Sequence, residues 1–328
     1  MPRLVPFLSI LLLIACGDDD ASMDAGPIMD AGFDSSSAED AGADAGPSDA
    51  GASDAGSDAG PTDAGPPTTI GGERPARVAV PRDYDPETPT PLLIVLHGYT
   101  ATGELQNLYL RTEAAAAEHG MLLVLPDGLE DARGNGFWNA TPACCDFGGT
   151  GVDDVAYIRS LIEEVGESYN LDTGRVYLYG HSNGGFMSYR MACDAADVIT
   201  AIASLAGSEF LDEARCEPSQ PVSTLQIHGT ADETILYEGG ENAGIGYPSA
   251  EETTARFGER NGCTESEAAE SIDLDSSLDG DETAVTRYTG CSEGVGAELW
   301  AIEGGEHLPT LQPDASDRVL TWLEQFSR

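Results

Sequence analysis

Short apolar runs recur along the chain, and each is bounded by glycine, proline or aspartate. Runs of this length with such boundaries are typical of strands that are buried on both faces of a sheet. The predicted strands are residues 92–96, 121–125, 176–179, 199–205, 222–227 and 299–302.

Most of these runs are separated by stretches whose apolar residues recur at helical spacing. The predicted helices are residues 103–118, 153–169, 184–192, 249–261 and 314–326. Alternation of strands and helices predicts an α/β fold, with a mostly parallel, doubly wound sheet and helices on both of its faces. In such a sheet, the functional loops follow the carboxyl ends of the strands.

The amino terminus has the pattern of an export signal. Arg3 precedes an apolar run over residues 4–15, which is far shorter than the roughly 20 residues that a membrane-spanning helix needs. The sequence Leu-Ile-Ala-Cys that ends at Cys16 looks like a bacterial lipobox, in which the cysteine is acylated and the preceding peptide is removed. Residues 1–16 are therefore predicted to be a lipoprotein signal peptide, with ordinary signal-peptide cleavage as the alternative.

Lipidation at Cys16 would place the protein outside the cytoplasm. Gly17, rather than aspartate, follows the cysteine, as in lipoproteins that are sorted to an outer membrane. We expect the protein to be exported, and either lipid-anchored to a bacterial outer membrane or cell surface or secreted. The lipid is its only expected contact with a membrane.

Residues 17–70 are nearly all aspartate, alanine, glycine, serine, proline and threonine, and the triplet Asp-Ala-Gly occurs eight times between Asp24 and Gly65. Such a composition has too few apolar side chains to build a core, so this segment is predicted to be a disordered linker. A calcium-binding repeat is the alternative, but the spacing is irregular and no apolar position recurs. The remaining residues 71–328 are predicted to form one large α/β domain with a single core.

This predicted domain is strongly acidic. Of the 58 acidic and 15 basic residues, 13 acids and one arginine lie in residues 1–70, which leaves 45 acids, 14 bases and a net charge of −31. That charge would repel polyanions, so no nucleic-acid partner is expected. It has little influence on an uncharged ligand and is compatible with a well-hydrated monomer.

Six cysteines follow Cys16, and in an exported domain this number suggests three disulfides. The candidates are Cys144, Cys145, Cys193, Cys216, Cys263 and Cys291. Pairing of nearest neighbours would join the first two, the next two and the last two, but the sequence does not choose among the roughly fifteen possible pairings. No histidine stands at ligand spacing from these thiols, so no metal site is predicted.

Residues 180–184 form a Gly-x-Ser-x-Gly motif directly after a predicted strand and directly before a predicted helix. In this context the glycines allow a sharp turn that lifts the serine oxygen above the sheet, and the amides of the helix point toward developing negative charge. Ser182 is therefore predicted to be a nucleophile. The alternative is a serine that merely occupies a tight turn.

A serine hydroxyl is a weak nucleophile, so it needs a base to take its proton and an acid to orient that base. In this architecture both follow the serine, with the acid before the histidine. Only His228 and His307 follow Ser182. His307 is predicted to be the base because it lies in a glycine-containing loop after the last strand, whereas His228 ends a strand and is predicted to bond to backbone.

The orienting acid is predicted to be Asp232, in the loop after the strand 222–227. Glu209 and Asp212, in the loop after the preceding strand, are the alternatives. The histidines that precede the serine are predicted to have structural roles; they are His97, His119 and His181.

An acyl-transfer site must also stabilise the oxyanion of the tetrahedral intermediate, usually with two backbone amides. One is predicted to be the amide of Asn183, the residue after the nucleophile. The other is predicted to be the amide of Tyr99, in the loop after the strand 92–96, with Thr100 as the alternative.

The long loop 127–152 follows the carboxyl end of a strand, where a substrate rim would form. Three residues in or beside this loop are candidates for that rim; they are Trp138, Asp127 and Asp154. For each of them, core packing or helix capping is the alternative.

Eight short motifs occur in order along residues 75–328: Leu96-His97-Gly98, Pro126-Asp127-Gly128, Trp138-Asn139, Cys144-Cys145, Gly151-Val152-Asp153-Asp154-Val155, Ser182-Asn183-Gly184, Ile227-His228-Gly229-Thr230-Ala231-Asp232 and Glu303-Gly304-Gly305-Glu306-His307. As an ordered set they resemble the secreted polyhydroxybutyrate depolymerase and feruloyl esterase family. The resemblance implies an α/β-hydrolase fold, hydrolysis of carboxylic esters, no cofactor, and catalytic roles for Ser182, Asp232 and His307.

The last motif departs from that family. Many members continue it as Gly-His-x-Trp-Pro, whereas this chain has Glu-His-Leu-Pro over residues 306–309, so an aromatic wall beside the base is missing. The departure leaves the predicted catalytic residues unchanged, but it removes the basis for an inherited substrate preference.

Together these features predict an extracytoplasmic serine esterase that acts through an acyl-enzyme on feruloyl or acetyl esters of polysaccharides or on hydroxyalkanoate esters. The expected partner is an ester substrate, soluble or polymeric. The alternatives are a peptidase or acyltransferase on the same fold, because a triad does not choose the acyl acceptor, and a non-catalytic surface binding module.

Overall fold

The computed structural model describes residues 66–328. The predicted signal peptide 1–16, the predicted lipidation site Cys16 and most of the predicted linker lie outside the described residues. The predicted catalytic domain lies within them.

The described residues form fourteen strands and six α-helices. The strands are β1 (Thr69–Ile70), β2 (Ala76–Ala79), β3 (Thr90–Leu96), β4 (Leu122–Leu125), β5 (Leu129–Glu130), β6 (Gly136–Phe137), β7 (Leu171–His181), β8 (Ala201–Leu205), β9 (Ser223–Gly229), β10 (Gly240–Asn242), β11 (Ile245–Tyr247), β12 (Glu265–Ala268), β13 (Thr283–Thr289) and β14 (Ala297–Ile302). The helices are α1 (Gly103–Leu110), α2 (Thr112–Glu118), α3 (Asp154–Ser168), α4 (Asn183–Asp194), α5 (Ala250–Arg260) and α6 (Ala315–Leu323). None of these helices combines the length and the apolar content that crossing a bilayer requires.

Ten of the strands form one sheet, in the order β1-β2-β4-β3-β7-β8-β9-β14-β13-β12. Every pairing from β4 to β14 is parallel, and the outer strands on both sides join antiparallel. The mostly parallel sheet that the alternation of elements predicts is therefore confirmed.

Side chains of the central strands alternate between two cores, one on each face of the sheet. In β3, Leu92 and Ile94 pack into a core with residues of α3 and α4, whereas Leu93 and Val95 pack into a second core with residues of α2 and α6. A strand that is buried on both faces has a continuous apolar sequence, which explains the short runs that predicted these strands. The helices on both faces are confirmed.

The predicted helix 103–118 is wrong, because the structure has two helices there. Arg111 adopts a left-handed conformation, with φ 60°, between α1 and α2. The side-chain oxygen of Asn107 accepts hydrogen bonds from the hydroxyl of Thr112 (2.9 Å) and from the amide of Glu113 (2.8 Å). Asn107 thereby satisfies a donor at the start of α2, where no backbone acceptor is available.

The edges of the sheet contain strands that apolar runs did not predict. All four residues of β12 are exposed, and β13 alternates between buried and exposed positions over its first half. An edge strand that is open to solvent needs no continuous apolar sequence, so apolar runs do not predict it.

The folded domain begins before residue 71. Thr69 and Ile70 pair with β2, and Ile70 is buried. In addition, the hydroxyl of Tyr169 donates to the carbonyl of Pro67 at 2.5 Å. The predicted end of the linker at residue 70 is therefore a few residues too late.

Three disulfides join the six cysteines as nearest neighbours along the chain. They are Cys144–Cys145, Cys193–Cys216 and Cys263–Cys291. The second bridge ties the last turn of α4 to the loop that follows a short 3-10 helix at Glu213–Arg215. It thus fixes the far end of the helix that begins after Ser182.

His119 joins α2 to α6. Its Nδ1 lies 2.7 Å from a carboxylate oxygen of Glu324, and its Nε2 lies 2.9 Å from a carboxylate oxygen of Asp317. Both ring nitrogens face acceptors, so the doubly protonated ring fits best. Burial lowers the pKa of His119, but the hydrogen bonds with the two carboxylates together outweigh burial and raise the pKa above its ordinary value of 6.5.

We expect His119→Gln to lower the melting temperature more at about pH 5.5 than at about pH 8.5. A raised histidine pKa contributes stability that is fully present below the pKa of the unfolded chain and is lost as pH rises through the pKa of the folded protein. Thermal unfolding of both proteins across this range, followed by circular dichroism, measures the difference. If the difference in melting temperature between the two proteins stays constant with pH, the ion pairs of His119 with Asp317 and Glu324 are contradicted.

Candidate active site

Ser182 lies in the turn between β7 and α4, with φ 54° and ψ −118°. Such a conformation costs a non-glycine residue roughly 1–3 kcal/mol, so neighbouring structure must hold it. The amide of Ser182 donates to the carbonyl of Leu205 at the end of β8 (2.8 Å), and its carbonyl accepts from the amide of Phe186 (3.0 Å). The turn is therefore fixed from both sides.

Two glycines make room for this turn. A Cβ at Gly180 would lie 2.1 Å from the carbonyl oxygen of Gly184, and a Cβ at Gly184 would lie 2.0 Å from the carbonyl oxygen of Leu96. Real Cβ atoms essentially never approach backbone so closely. The glycines of the motif thus allow β3, β7 and α4 to meet directly below the serine.

The imidazole of His307 lies between Ser182 and Asp232. Its Nε2 is 3.0 Å from the hydroxyl oxygen of Ser182, and its Nδ1 is 2.7 Å from Oδ2 of Asp232. A carboxylate only accepts hydrogen bonds, so Nδ1 carries a hydrogen and Nε2 faces the hydroxyl as an acceptor. The arrangement can take a proton from the serine and hold the resulting imidazolium beside a negative charge.

The carboxylate of Asp232 is held by backbone as well as by His307. Its Oδ1 accepts from the amides of Thr234 (2.8 Å) and Ile235 (2.9 Å). Burial raises the pKa of Asp232, but hydrogen bonds from His228 and His307 outweigh it and hold the pKa well below its usual range. The side chain is therefore ionised even though it is fully buried.

Parallel pairing of β9 with β14 places the acid and the base at one edge of the sheet. The loops that follow these strands touch at Gly229, where a Cβ would lie 2.2 Å from the carbonyl oxygen of Gly305. The amide of Ala231 donates to the same carbonyl at 2.9 Å. Gly229 thus lets the loop with Asp232 reach the loop with His307.

The backbone around His307 is anchored by two side chains. Nε2 of His181 donates to the carbonyl of His307 (3.0 Å), and the hydroxyl of Tyr109 donates to the carbonyl of Pro309 (2.9 Å). Burial lowers the pKa of His181 to about 4, so its ring is neutral at neutral pH. Neither anchor is visible as a sequence signal, because each depends on contacts between distant segments.

Two backbone amides near Ser182 are free to donate. The amide of Thr100 donates to the carbonyl of Gly136 (2.9 Å), whereas the amides of Tyr99 and Asn183 have no protein acceptor among residues 66–328. The phenol of Tyr99 donates to a carboxylate oxygen of Asp131 (2.5 Å), which fixes the residue in the loop after β3. This geometry favours Tyr99 over Thr100 as an oxyanion donor.

Comparison with known proteins identifies the family. The family model named Esterase matches residues 68–246, which are more than half of the chain and include Ser182 and Asp232. This chain belongs to the esterase family. The resemblance to esterases that the ordered motifs indicate is thereby confirmed.

Two curated esterases and one solved structure show how far the similarity extends. Feruloyl esterase B of Piromyces equi is 28% identical over 260 residues, which cover 76% of this chain and 45% of that protein. Feruloyl esterase D of Neurospora crassa is 26% identical over 279 residues, covering 80% of this chain and 84% of that protein. The chain therefore spans less than half the length of the first of these relatives.

The fold is also that of a known esterase. The acetyl xylan esterase from Aspergillus awamori has a TM-score of 0.54 with this chain at 13% identity, over 76% of this chain and 94% of the other. Similarity at so low an identity shows the fold alone. The predicted α/β-hydrolase fold is confirmed.

In this esterase-family chain, two of the predicted rim residues are not at a rim. Trp138 is 0% exposed and Asp154 is 1% exposed. The backbone of Trp138 exchanges hydrogen bonds with the side chain of Asn183, at 2.7 and 3.0 Å, and the carboxylate of Asp154 accepts from Arg74 at 2.8 Å. Both residues are therefore structural, and the alternative of core packing applies to them.

Asp127 is exposed, but its carboxylate has a structural partner. Its Oδ1 accepts from the amide of Gly103, the first residue of α1, at 2.7 Å. Acceptance of a free amide at a helix start is the capping role that was the alternative to a rim.

The alternative acids are also engaged elsewhere. The buried carboxylate of Glu209 pairs with Arg256 (3.2 Å) and Arg260 (2.8 Å) on α5. Asp212 accepts from the amide of Ala214 (3.2 Å) at the start of the short 3-10 helix. Among the three candidate acids, Asp232 is the one whose carboxylate contacts the imidazole of His307.

A pocket of about 240 Å³ opens beside the serine. Ser182, His307 and Tyr99 line its polar side, while Leu105 and Leu308 give it an apolar mouth. Both leucines are exposed, at 57% and 60%. Leu105 was not among the predicted site residues, because an exposed leucine on a helix has no sequence signal that distinguishes it from any other surface residue.

We expect Gly184→Ala to lower the free energy of unfolding by more than about 2 kcal/mol and to abolish activity, because the new Cβ would collide with the backbone of Leu96. Gly166→Ala is the matched control. Gly166 lies in α3, and a Cβ there would lie 3.7 Å from its nearest neighbour, the side chain of Leu171. Alanine at this position should therefore stabilise the helix by about 0.5–1 kcal/mol. Urea unfolding measures the free energy of unfolding of both variants. Equal stability of the two variants would contradict the close approach of Gly184 to Leu96.

Proposed function

We propose that the protein is an exported serine esterase that hydrolyses carboxylic esters through an acyl-enzyme on Ser182, with His307 as the base and Asp232 as the acid that orients it. The observation that carries the proposal is the continuous path from the hydroxyl of Ser182 to Nε2 of His307 (3.0 Å) and from its Nδ1 to Asp232 (2.7 Å). Membership of the esterase family supports the reaction class.

Acylation begins when Oγ of Ser182 attacks the carbonyl carbon of the ester while Nε2 of His307 takes the hydroxyl proton. A carbon–oxygen bond forms, and the electron pair of the carbonyl moves onto its oxygen. The amides of Tyr99 and Asn183 donate to this oxyanion. Asp232 stabilises the imidazolium without accepting the proton.

Collapse of the tetrahedral intermediate releases the alcohol. The carbonyl reforms, the bond to the alcohol oxygen breaks, and that oxygen takes the proton from His307. Water then attacks the acyl-enzyme with His307 again as the base, and the carboxylic acid leaves as Ser182 regains its hydrogen. Each cycle consumes one ester and one water.

The proposed substrates are feruloyl or acetyl esters of polysaccharides. Relatives that are named feruloyl esterases support this class, as does the fold that the chain shares with an acetyl xylan esterase. The small pocket beside Ser182 suits an acyl group of modest size. Hydroxyalkanoate esters are a second candidate, favoured by the exposed Leu105 and Leu308 at the mouth of the pocket.

The proposed location is outside the cytoplasm, with a lipid anchor at Cys16. Disulfides persist in oxidising compartments, so the three bridges of the domain support export. The apolar run before Cys16 and the lipobox-like sequence support the anchor.

We expect Ser182→Ala to reduce hydrolysis of p-nitrophenyl acetate to the level of the buffer while the far-ultraviolet circular dichroism stays unchanged, because the variant lacks the attacking oxygen. Ser160→Ala is the matched control, because the hydroxyl of Ser160 donates to the carbonyl of Tyr157 within α3 (2.8 Å), and it should retain full activity. Turnover by Ser182→Ala at the rate of the unaltered protein would refute the assignment.

The same assay separates the rival functions. A peptidase would cleave a matched amide at a rate comparable to the ester, and an acyltransferase would favour an added alcohol over water as the acceptor. A non-catalytic binding module would leave the ester intact. For a serine esterase we expect ester hydrolysis with little amide cleavage and little acyl transfer to the added alcohol.

Lipidation makes a separate prediction. When the full chain is expressed in a bacterium, labelled palmitate should be incorporated, and Cys16→Ala should abolish incorporation because the acylated thiol is gone. Gly17→Asp, which keeps the thiol, should still be labelled. An unlabelled wild-type chain would remove the anchor from the proposal without affecting the esterase assignment.

A further inference from the structure

His228 lies directly behind the acid of the site. It is 1% exposed, and its Nε2 lies 2.7 Å from the carbonyl oxygen of Ile235 and 3.3 Å from Oδ2 of Asp232. Both of these oxygens accept hydrogen bonds only, so the position suits a nitrogen that carries a hydrogen. The sequence predicts a histidine bonded to backbone here, and the contact with Asp232 adds a second partner.

The side chain of Gln226 fits the same tautomer of His228. Its Nε2 lies 2.9 Å from the carbonyl oxygen of Gly207 and 3.0 Å from Nδ1 of His228, and its Oε1 lies 2.9 Å from the hydroxyl of Tyr189. The carbonyl of Gly207 cannot donate, so the amide nitrogen must face it. Nδ1 of His228 is then the acceptor, and the hydrogen of the ring is on Nε2.

The resulting chain of hydrogen bonds crosses three elements without contact with solvent. It runs from Tyr189 on α4, through Gln226 and His228 on β9, to Asp232 in the loop that follows. Tyr189 and Gln226 are fully buried. Because no water competes for these groups, each keeps the next one in a single orientation.

We propose that His228 is a positioning residue for the hydrolysis, and that Gln226 and Tyr189 act through it; this inference rests on the proposed function. The Nε2–H of His228 ties Asp232 to the carbonyl of Ile235 and fixes the direction in which Oδ2 meets His307. With the opposite tautomer, a lone pair would face the carboxylate and push it away from that direction. A displacement of the order of 1 Å in a catalytic group costs about 100-fold in rate.

The test uses Gln226→Leu, which removes the donor to Nδ1 and leaves His228 and the triad intact. We expect kcat for p-nitrophenyl acetate to fall about 10- to 100-fold, with KM changed by less than about twofold. Tyr189→Phe should lower kcat in the same direction by a smaller factor. Tyr177→Phe is the matched control, because it removes another buried hydroxyl, one that donates to Phe326 (2.7 Å) away from this network, and should leave kcat unchanged.

Heteronuclear NMR of protein labelled at the histidine nitrogens reports the tautomer without reference to activity. We expect Nε2 of His228 to carry the hydrogen in the unaltered protein, and the nitrogen chemical shift of its Nδ1 to change in Gln226→Leu because Nδ1 loses its donor. Hydrogen on Nδ1 in the unaltered protein would overturn the inference. So would a folded Gln226→Leu variant with unaltered kcat.

If Gln226→Leu does not fold, the comparison of Tyr189→Phe with Tyr177→Phe decides, and equal kcat in those two variants would overturn the inference. If Ser182→Ala remains active, the proposed function fails, whereas a changed chemical shift of Nδ1 in Gln226→Leu still reports the network itself.

Discussion

The arrangement of the site depends on direct backbone contact below Ser182. Gly184 lies so close to the carbonyl of Leu96 that no side chain fits between them, and Gly180 lies equally close to Gly184. This contact joins β3 and β7 to the helix that follows the serine, directly beside Ser182 with its positive φ. The strain at one residue is thus distributed over a packed core, which is how a folded protein maintains such a conformation.

The parallel sheet brings together three residues that lie far apart along the chain. Ser182, Asp232 and His307 follow three different strands, and parallel pairing brings the ends of those strands to one edge. The cost of burying Asp232 is offset by donors: two backbone amides, His307 and the hydrogen on Nε2 of His228. A buried carboxylate with this many partners stays ionised and keeps one orientation.

Features with a local sequence pattern, or with a fixed order along the chain, were predictable from the sequence. Continuous apolar runs revealed the central strands, and the order of Ser182, Asp232 and His307 after strand ends pointed to the site. The break between α1 and α2 at Arg111 was not predicted, because helical spacing continues across it. The edge strands were not predicted, because they are open to solvent and lack a continuous apolar sequence. The choice between rim and core stayed open for Trp138, because a tryptophan in a long loop has the same sequence signal whether it packs inward or outward.

Covalent labelling shows directly whether Ser182 is the attacking nucleophile. The protein would be treated with an alkyl fluorophosphonate, which reacts with an activated serine oxygen, and the site of the adduct would be mapped by mass spectrometry of its peptides. We expect one adduct, on Ser182, with loss of ester hydrolysis in proportion to labelling. An adduct on a different residue, or full hydrolysis after Ser182 is labelled, would rule out Ser182 as the nucleophile.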